Sequence, residues 1–336
     1  MLKNNNKYTL RKFANIHFPG RKNLLIFSTP RSGSTLLMEM IAEQPGILPV
    51  REPLNLRRDY IKDTLRMSRW DEIYSEKNYE KVVQYLQSFS YNLKVDSRFK
   101  REKPFSHTWH LFTNRLAYKL LHGMEHRVND LCKDLQGRAV ILLRHPIPVS
   151  LSREELPRYE AFLNSEVTSQ FTSDQLKLAK DIWINGTVFE KSVVSWCFQN
   201  KLLLKNSDKH LIVTYEELVM NREPVIQKIA DYFNLPDIPK MISRSLTPSG
   251  STGKSTDANK ELLKNVHRGE ATFSELVTKW KQKTDGDMLT SAQTILDTFQ
   301  INIYTSNEIM PETQYLISPV SSGNDVAFNE SMPLID

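Results

Sequence analysis

Short apolar runs recur along the chain, and stretches with helical spacing of apolar residues lie between them. The runs contain few polar residues, as is typical of strands that are buried on both faces of a parallel sheet. We predict strands at Leu24–Ser28, Ile47–Val50, Leu116–Leu121, Ala139–Leu143 and Leu211–Thr214. This alternation of strands and helices predicts an α/β fold with a central parallel sheet of about five strands and helices on both faces.

Two of the helical stretches are especially clear. In EPVIQKIADYF, Pro224 occupies a first-turn position, where proline is favoured. The apolar stripe of this helix consists of Val225, Ile226, Ile229, Tyr232 and Phe233. A longer helical pattern runs from Ser173 to about Leu204, and Asn185-Gly186 predicts a break within it.

The organisation predicted from composition is one domain between two tails. Residues 1–20 are polar and basic, which favours a tail or a short packing arm, and residues 306–336 are rich in Ser, Pro, Asn and Glu. The domain then covers residues 21–305. Within it, the long segment of residues 57–115 is rich in aromatic and charged residues and predicts a helical insertion.

Charge and cysteine content narrow the possible partners. The 336 residues carry 45 Lys and Arg against 39 Asp and Glu, a net charge of +6. A basic balance favours anionic partners, but the cations are scattered, which favours a local anion pocket over a nucleic acid or a membrane surface. The two cysteines have no metal-ligand spacing, so we expect a reduced, cytoplasmic protein without a metal. No apolar run approaches the roughly 18 residues of a membrane span.

The stretch FSTPRSGSTLL, which begins at Phe27, joins the first predicted strand to a helix that begins near Gly33 or Ser34. The first N–H groups of a helix have no partner inside the helix, and the helix dipole is positive at that end. Glycine lets the backbone approach a ligand closely, and arginine offers a planar fork of donors. The loop therefore predicts an anion site formed by Arg31, Ser32, Gly33, Ser34 and Thr35.

A nucleoside-triphosphate loop requires the pattern G-x-x-x-x-G-K-S/T. This loop has Ser34 where that lysine belongs and Ser28 where the first glycine belongs. The later stretch SGSTGKS has Pro248 in the place of the first glycine. Neither segment therefore predicts an ATP site.

The loop TPRSGSTLL resembles the 5′-phosphosulfate loop of sulfotransferases, which use 3′-phosphoadenosine-5′-phosphosulfate (PAPS). In that family the cation precedes the Ser-Gly pair, and Arg31 fills this place. A second family motif is a strand that ends in Arg with a Ser eight residues later, which Arg144 and Ser152 match. The resemblance implies a P-loop-like domain in which these two residues hold the 3′-phosphate of PAPS, or of its product PAP.

Two further segments of the chain resemble the family. Residues 212–236 look like its strand, its Y-E-D-L turn and its packing helix, and Trp196 looks like its helical tryptophan. We interpret both as structural. For the loop that closes over the nucleotide, residues 267–269 (HRG) compete with Ser251, Thr252, Gly253 and Lys254, and we favour the latter because hydroxyl, glycine and lysine suit a phosphate.

The resemblance also implies the catalytic groups. Glu52 follows the second predicted strand, where several family members carry the general base; the alternative is a surface ion pair with Arg51 or Arg57. Members with a catalytic histidine form another branch, for which His107 and His110 are candidates. Lys119 resembles the family's third-strand lysine that touches the sulfonate, although a solvent-exposed lysine would fit the same pattern.

We therefore expect a sulfotransferase that acts on the hydroxyl or amine of a small molecule or glycan, with residues 57–115 shaping the acceptor pocket. No metal, nucleic acid or membrane partner is expected. Two other functions remain open from the sequence: a small-molecule kinase on a similar fold, and a nucleotide-binding protein without catalytic activity.

Overall fold

The computed structural model describes residues 16–90, 112–153, 156, 158–205, 207–249, 261, 265 and 272–317. Their strands are β1 (Ile16–His17), β2 (Asn23–Ser28), β3 (Ile47–Arg51), β4 (Phe112–Thr113), β5 (Arg115–Leu120), β6 (Gly137–Leu143) and β7 (Leu211–Thr214). All five strand predictions are confirmed, with ends that shift by at most two residues.

Five of these strands form the central sheet in the order β3-β5-β2-β6-β7, and every neighbouring pair is parallel. β2 lies in the middle, where Ile26 pairs with Lys119 of β5 and Phe27 pairs with Ile141 of β6. The parallel arrangement aligns all the carboxyl ends along one edge of the sheet. β1 and β4 form a separate two-stranded parallel ladder.

Helices cover the sheet. They are α1 (Ser34–Ala42), α2 (Asp59–Leu65), α3 (Tyr79–Gln87), α4 (Val128–Asp134), α5 (Pro146–Leu151), α6 (Tyr159–Leu163), α7 (Ser173–Asn185), α8 (Val188–Leu204), α9 (Tyr215–Met220), α10 (Arg222–Phe233), α11 (Ile238–Ser245), α12 (Phe273–Thr278) and α13 (Gly286–Thr298). Short 3₁₀ turns occur at Trp70–Tyr74, Glu76–Asn78, Ser88–Ser90, Glu125–Arg127, Glu166–Gln170, Ser207–Lys209, Lys279–Lys283 and Thr313–Tyr315.

Two apolar cores lie on the two faces of the sheet. Successive side chains of a strand point to opposite faces, so Leu25 and Phe27 of β2 enter one core, while Leu24 and Ile26 enter the other. All four are fully buried. Burial of each such side chain contributes about 1.5–3 kcal/mol. The expected helices on both faces are confirmed.

The predicted break in the long helix is present between α7 and α8. Each of these helices begins with a capping box, Thr172 with Gln175 and Thr187 with Glu190, in which the threonine side chain accepts a backbone N–H. α10 buries Val225, Ile226, Ile229 and Phe233 of its predicted stripe, and Tyr232 is half-buried.

The predicted insertion and tails are partly described. Trp70, Tyr74 and Tyr85 pack on the first core, whereas Tyr91 and Trp109 lie outside the described residues. In the C-terminal segment, Tyr315 and Ile317 pack against the two cores. The division into tails and insertion stays a prediction. Within the described ranges, no helix has the length and apolar character to cross a membrane.

Candidate active site at the carboxyl edge of the sheet

The residues that the sequence singles out gather at the carboxyl edge of the sheet. The anion loop follows β2, Glu52 follows β3, Lys119 lies one residue before the end of β5, and Arg144 follows β6. In open α/β sheets, ligands bind at this edge. The described residues also enclose a hollow of about 780 Å³ beside the opposite edge. None of the candidate site residues that the structure describes lines that hollow, so the carboxyl edge is the candidate site.

The anion loop is held by its own hydroxyl groups. Ser28 donates to the carbonyl of Leu142 over 2.8 Å, and the hydroxyls of Thr29 and Ser32 are 2.6 Å apart. Arg31 takes a positive φ of 75°, and its side chain is exposed. The loop is therefore a fixed turn that leads directly into α1.

The first turn of α1 lacks the caps that α7 and α8 have. α1 begins at Ser34, and Gly33 precedes it without a side-chain cap hydrogen bond. The first backbone N–H groups of the helix therefore remain available to an anion, together with the helix dipole. This start agrees with the prediction, and the arrangement fits a phosphate or phosphosulfate group.

The turn at Gly33 is shaped by Tyr215, the residue that follows β7. Gly33 has a φ of 85°, and a Cβ at this position would lie only 2.4 Å from the Cδ2 atom of Tyr215. Glycine is thus required for two reasons, the backbone conformation and the ring beside it. Our sequence interpretation treated the Tyr215 segment as structural and did not connect it with the loop.

Arg144 connects the end of β6 to the anion loop. Its Nη1 donates to the carbonyl of Arg31 over 2.9 Å, and its guanidinium lies 4.2 Å from the centroid of the Tyr215 ring. The carbonyl of Arg144 accepts the Nε1–H of the buried Trp196 over 3.0 Å. Among the described residues, the buried Nε of Arg144 has no hydrogen-bond partner. A buried donor of this kind is suited to an anionic oxygen.

Ser152 follows the end of α5, as the motif spacing implies. Its hydroxyl donates to the carbonyl of Val149 over 2.8 Å. A hydroxyl that donates one proton still has lone pairs and can exchange its partner. Its predicted role at the 3′-phosphate stays a prediction.

Lys119 joins the anion loop to Glu52. Its side chain is buried, and its Nζ lies 3.0 Å from Thr35 Oγ1 and 3.0 Å from Glu52 Oε1. The lysine is therefore held inside the site and is not a surface residue. Register explains the contact, because Arg51 of β3 pairs with Lys119 of β5 and Glu52 comes next along the chain.

Glu52 is surrounded by donors and cations. Its φ is 51°, and its carboxylate accepts a hydrogen bond from Asn55 over 3.0 Å and lies 3.8 Å from Arg58. Burial alone would raise the pKa of Glu52, but the hydrogen bond with His122 and the charge of Lys119 outweigh it and lower that pKa well below its usual value. The carboxylate is ionised at neutral pH, and its ion-pair partners include Lys119 and Arg58.

His122 is a functional candidate that the sequence interpretation missed. Its Nε2 lies 3.6 Å from Glu52, and its ring contacts Trp70 with centroids 5.4 Å apart. Burial lowers the pKa of His122 to about 4, so the imidazole is neutral at pH 7. Its position three residues after Lys119, just past the end of a strand, is the signal that points to it.

Several predicted residues lie outside the described part of the chain. These are the candidate closing residues Ser251, Thr252, Gly253 and Lys254, the competing residues 267–269, and the two candidate histidines His107 and His110. Their roles stay predictions.

Comparison with known proteins identifies the family. The model of the sulfotransferase domain family matches residues 21–302. The chain therefore belongs to the sulfotransferase family, whose members transfer sulfuryl groups. No curated protein sequence matches the chain significantly.

Several solved structures resemble the chain at low sequence identity. The sulfotransferase domain from the curacin biosynthetic pathway is 16% identical, with 84% of this chain and 99% of that chain covered and a TM-score of 0.42. The sulfotransferase domain from the Synechococcus PCC 7002 olefin synthase is 18% identical, with 85% and 98% covered and a TM-score of 0.41. Mouse sulfotransferase SULT7A1 complexed with PAP is 14% identical, with 85% and 86% covered and a TM-score of 0.40.

Proposed function

We propose that this chain transfers the sulfuryl group of PAPS to a hydroxyl or amine of a small-molecule or glycan acceptor. The observation that carries the proposal is the position of Lys119, whose Nζ contacts both Thr35 of the anion loop and Glu52. A cation between an anion loop and a carboxylate lies where a transferring group passes from donor to acceptor.

The residues present fit such a donor. Its 5′ end would be held by Arg31, Ser32, Gly33, Ser34 and Thr35, because this turn offers uncapped helix N–H groups and hydroxyls. The 3′-phosphate would be held by Arg144 and Ser152, and the buried Nε of Arg144 finds no partner in the described ranges. Ser251, Thr252, Gly253 and Lys254 remain the proposed closing segment.

PAPS supplies the sulfonate and a phosphate as the leaving group. The chain has two tasks: to hold donor and acceptor in line and to stabilise the charge that develops on the leaving phosphate. Arg31 and the N–H groups of the first turn of α1 would serve the second task. Lys119 would stabilise the oxygens in transfer, since its Nζ already lies beside Thr35.

Glu52 would accept the proton of the acceptor. A carboxylate with so low a pKa is a weak base while Lys119 remains its partner. Movement of the ammonium toward donor oxygens would raise the pKa of Glu52 and make the carboxylate more basic. The imidazole of His122, whose Nε2 lies 3.6 Å from Glu52, is neutral and therefore has one unprotonated ring nitrogen that could accept a proton, so both residues must be tested.

The kinase alternative conflicts with the position of the cations. A triphosphate loop uses a lysine directly after its second glycine, and Ser34 occupies that place. We expect PAP to raise the melting temperature of the chain and ATP to have a much smaller effect. A larger effect from ATP would favour the kinase.

The catalytic role of Glu52 is tested by Glu52→Gln, with PAPS carrying labelled sulfate and a panel of alcohols and amines. We expect turnover to fall by about 10²–10⁴-fold while PAP affinity changes less than about threefold. The matched control is Glu80→Gln, which alters an exposed helical carboxylate. If Glu52→Gln retains turnover and a His122→Ala variant loses it, the base is His122. A wild-type chain that binds PAP without transferring sulfate to any acceptor would favour the non-catalytic alternative.

The donor assignment is tested by Arg144→Met. If Arg144 holds the 3′-phosphate, the wild-type chain binds PAP far more tightly than adenosine 5′-monophosphate. The variant loses most of this preference, because the contact with the 3′-phosphate is worth about 1.5–3 kcal/mol, or tenfold and more. The contrasting variant Arg31→Met should lower the affinity for PAP and for adenosine 5′-monophosphate by the same factor. Calorimetry that finds no affinity of the wild-type chain for PAP overturns the proposed donor.

A further inference from the structure

Arg153 is a buried cation that the proposed transfer of sulfate does not use. It follows Ser152 after α5, and only 9% of it is exposed. Its Nη1 is buried and has no hydrogen-bond partner within the part of the chain that the structure describes. Arginine is almost never buried without a partner, so this side chain requires an explanation.

The charged neighbours of Arg153 that the structure describes do not balance it. Burial and the positive charges of Arg158 and Arg57 lower the pKa of Arg153 to about 9, so it remains charged at neutral pH. The charge of Arg158 itself is paired with the carboxylate of Glu125, which it contacts at 2.5 Å. Arg158 also donates to Tyr74 and Gln199, which completes a closed network beside Arg153.

An unbalanced buried charge is costly. Removal of one partner from a buried ion pair destabilises a protein by several kcal/mol, because the remaining charge is left uncompensated. Among the described residues, the buried charge of Arg153 is likewise uncompensated. A ligand that brings a negative charge would relieve the cost, and an arginine fork is suited to a carboxylate, phosphate or sulfate.

The position of Arg153 favours the acceptor over the donor. Arg57, whose charge acts on it, belongs to the loop that follows β3 and begins with Glu52. Arg158, the other neighbouring charge, also acts on His122 beside Glu52. Arg158 contacts Tyr74, and Trp70 of the same 3₁₀ turn contacts His122, which places the neighbour of Arg153 on the side of the proposed base. Arg144 and Arg31, in contrast, contact each other at the anion loop.

We propose that Arg153 binds an anionic group of the acceptor, so that the enzyme sulfates molecules that already carry a carboxylate, phosphate or sulfate. This inference rests on the proposed function. It adds that the acceptor is anionic and that Arg153 is the residue that recognises its charge.

The test uses the full chain saturated with PAP, so that the donor phosphates occupy their own sites. Inorganic phosphate is then titrated at constant ionic strength, with calorimetry and the melting temperature as readouts. We expect phosphate to bind the wild-type chain and to bind Arg153→Met at least tenfold more weakly. The control Arg21→Met removes an exposed cation just before β2, at the other edge of the sheet, and should leave phosphate binding unchanged.

A second readout separates a ligand-binding arginine from a structural one. Without phosphate, Arg153→Met should melt about 2–4 °C higher than the wild-type chain, because it removes an unbalanced buried charge. Arg153→Lys should keep part of the affinity for phosphate. If both variants melt lower than the wild-type chain, Arg153 is structural and the inference fails.

Two further outcomes overturn the inference. Equal phosphate binding by the wild-type chain and Arg153→Met shows that the anion binds elsewhere. A tenfold or greater loss of PAP affinity in Arg153→Met shows that the residue belongs to the donor site. Failure of the wild-type chain to bind PAP is a separate result, since it removes the proposed function itself.

Discussion

Lys119 Nζ lies 3.0 Å from Glu52 Oε1, in a position where the lysine side chain is only 5% exposed. The contact joins two strand ends, because β3 and β5 are neighbours in the sheet. The same ammonium reaches Thr35 at the start of α1. One buried cation therefore connects the proposed donor loop with the proposed base.

Replacement of Lys119 should affect both the stabilisation of the transferring group and the pKa of Glu52. For Lys119→Met we expect turnover to fall by about 10²–10³-fold, the usual cost of losing one electrostatic contact to a transition state. The pKa of Glu52 should rise, because the charge and hydrogen bond of Lys119 lower it. The acid limb of the pH–rate profile then moves to higher pH. Steady-state rates from pH 4 to 8 measure both effects.

The control for Lys119→Met is Lys22→Met, which removes an exposed lysine before β2. Its rates should match those of the wild-type chain. A Lys119→Met enzyme with wild-type turnover and an unchanged acid limb would show that Lys119 acts on neither group.

The contact between Gly33 and Tyr215 gives a second prediction. A Cβ at residue 33 would lie 2.4 Å from the tyrosine ring, and the φ of 85° disfavours any other residue. For Gly33→Ala we expect PAP affinity to fall more than about tenfold and the unfolding free energy to fall by about 1–3 kcal/mol. Calorimetry and urea unfolding measure the two changes.

Gly286→Ala is the matched control, because a Cβ there meets nothing within 4 Å. Residue 286 begins α13, where alanine is a better helix former than glycine. Its PAP affinity should equal that of the wild-type chain. Equal losses in both variants would mean that the effect at Gly33 does not depend on the local geometry.

Buried His145 predicts how stability depends on pH. Its Nδ1 accepts the N–H of Ile147, so its Nε2–H donates to the carbonyl of Thr305 over 3.0 Å. Burial lowers the pKa of His145 to about 4, below the ordinary value of 6.5. The unfolded chain therefore takes up this proton first as pH falls, and stability declines between pH 6.5 and pH 4.

The contribution of His145 to this decline is about 2 kcal/mol between pH 7 and pH 4.5. His145→Phe loses two hydrogen bonds and is less stable at pH 7, but it no longer titrates. The difference in unfolding free energy between the two proteins should therefore shrink at pH 4.5. Urea unfolding at the two pH values checks this, and a constant difference would contradict it.

The sheet could be predicted because its strands are short apolar runs such as Ala139–Leu143, which need burial on both faces. The anion loop could be predicted because Gly33 and its hydroxyl neighbours are contiguous. Contacts that depend on the register between paired strands leave no signature in the local sequence. The pairing of Arg51 with Lys119, which brings Glu52 to the lysine, depends on which strands become neighbours.

His122 and Arg153 were missed for a related reason. His122 is a single polar residue after an apolar strand, and Arg153 lies in a short polar stretch, SREE. What makes each a candidate is its burial next to other charged groups. Burial of a particular polar side chain depends on tertiary packing, which short motifs do not encode. Arg144 and Ser152 could be selected as candidates from the sequence because their spacing lies within one strand–helix unit.

The tyrosine beside Gly33 has a consequence for biosynthesis. Domains generally fold as units while the ribosome extends the chain from its N-terminus. The turn after β2 is made early, yet the ring that packs against it belongs to the residue after β7, far later in translation. A nascent chain that ends before Tyr215 can contain the whole SGST motif and still lack the ring that completes the proposed nucleotide cradle.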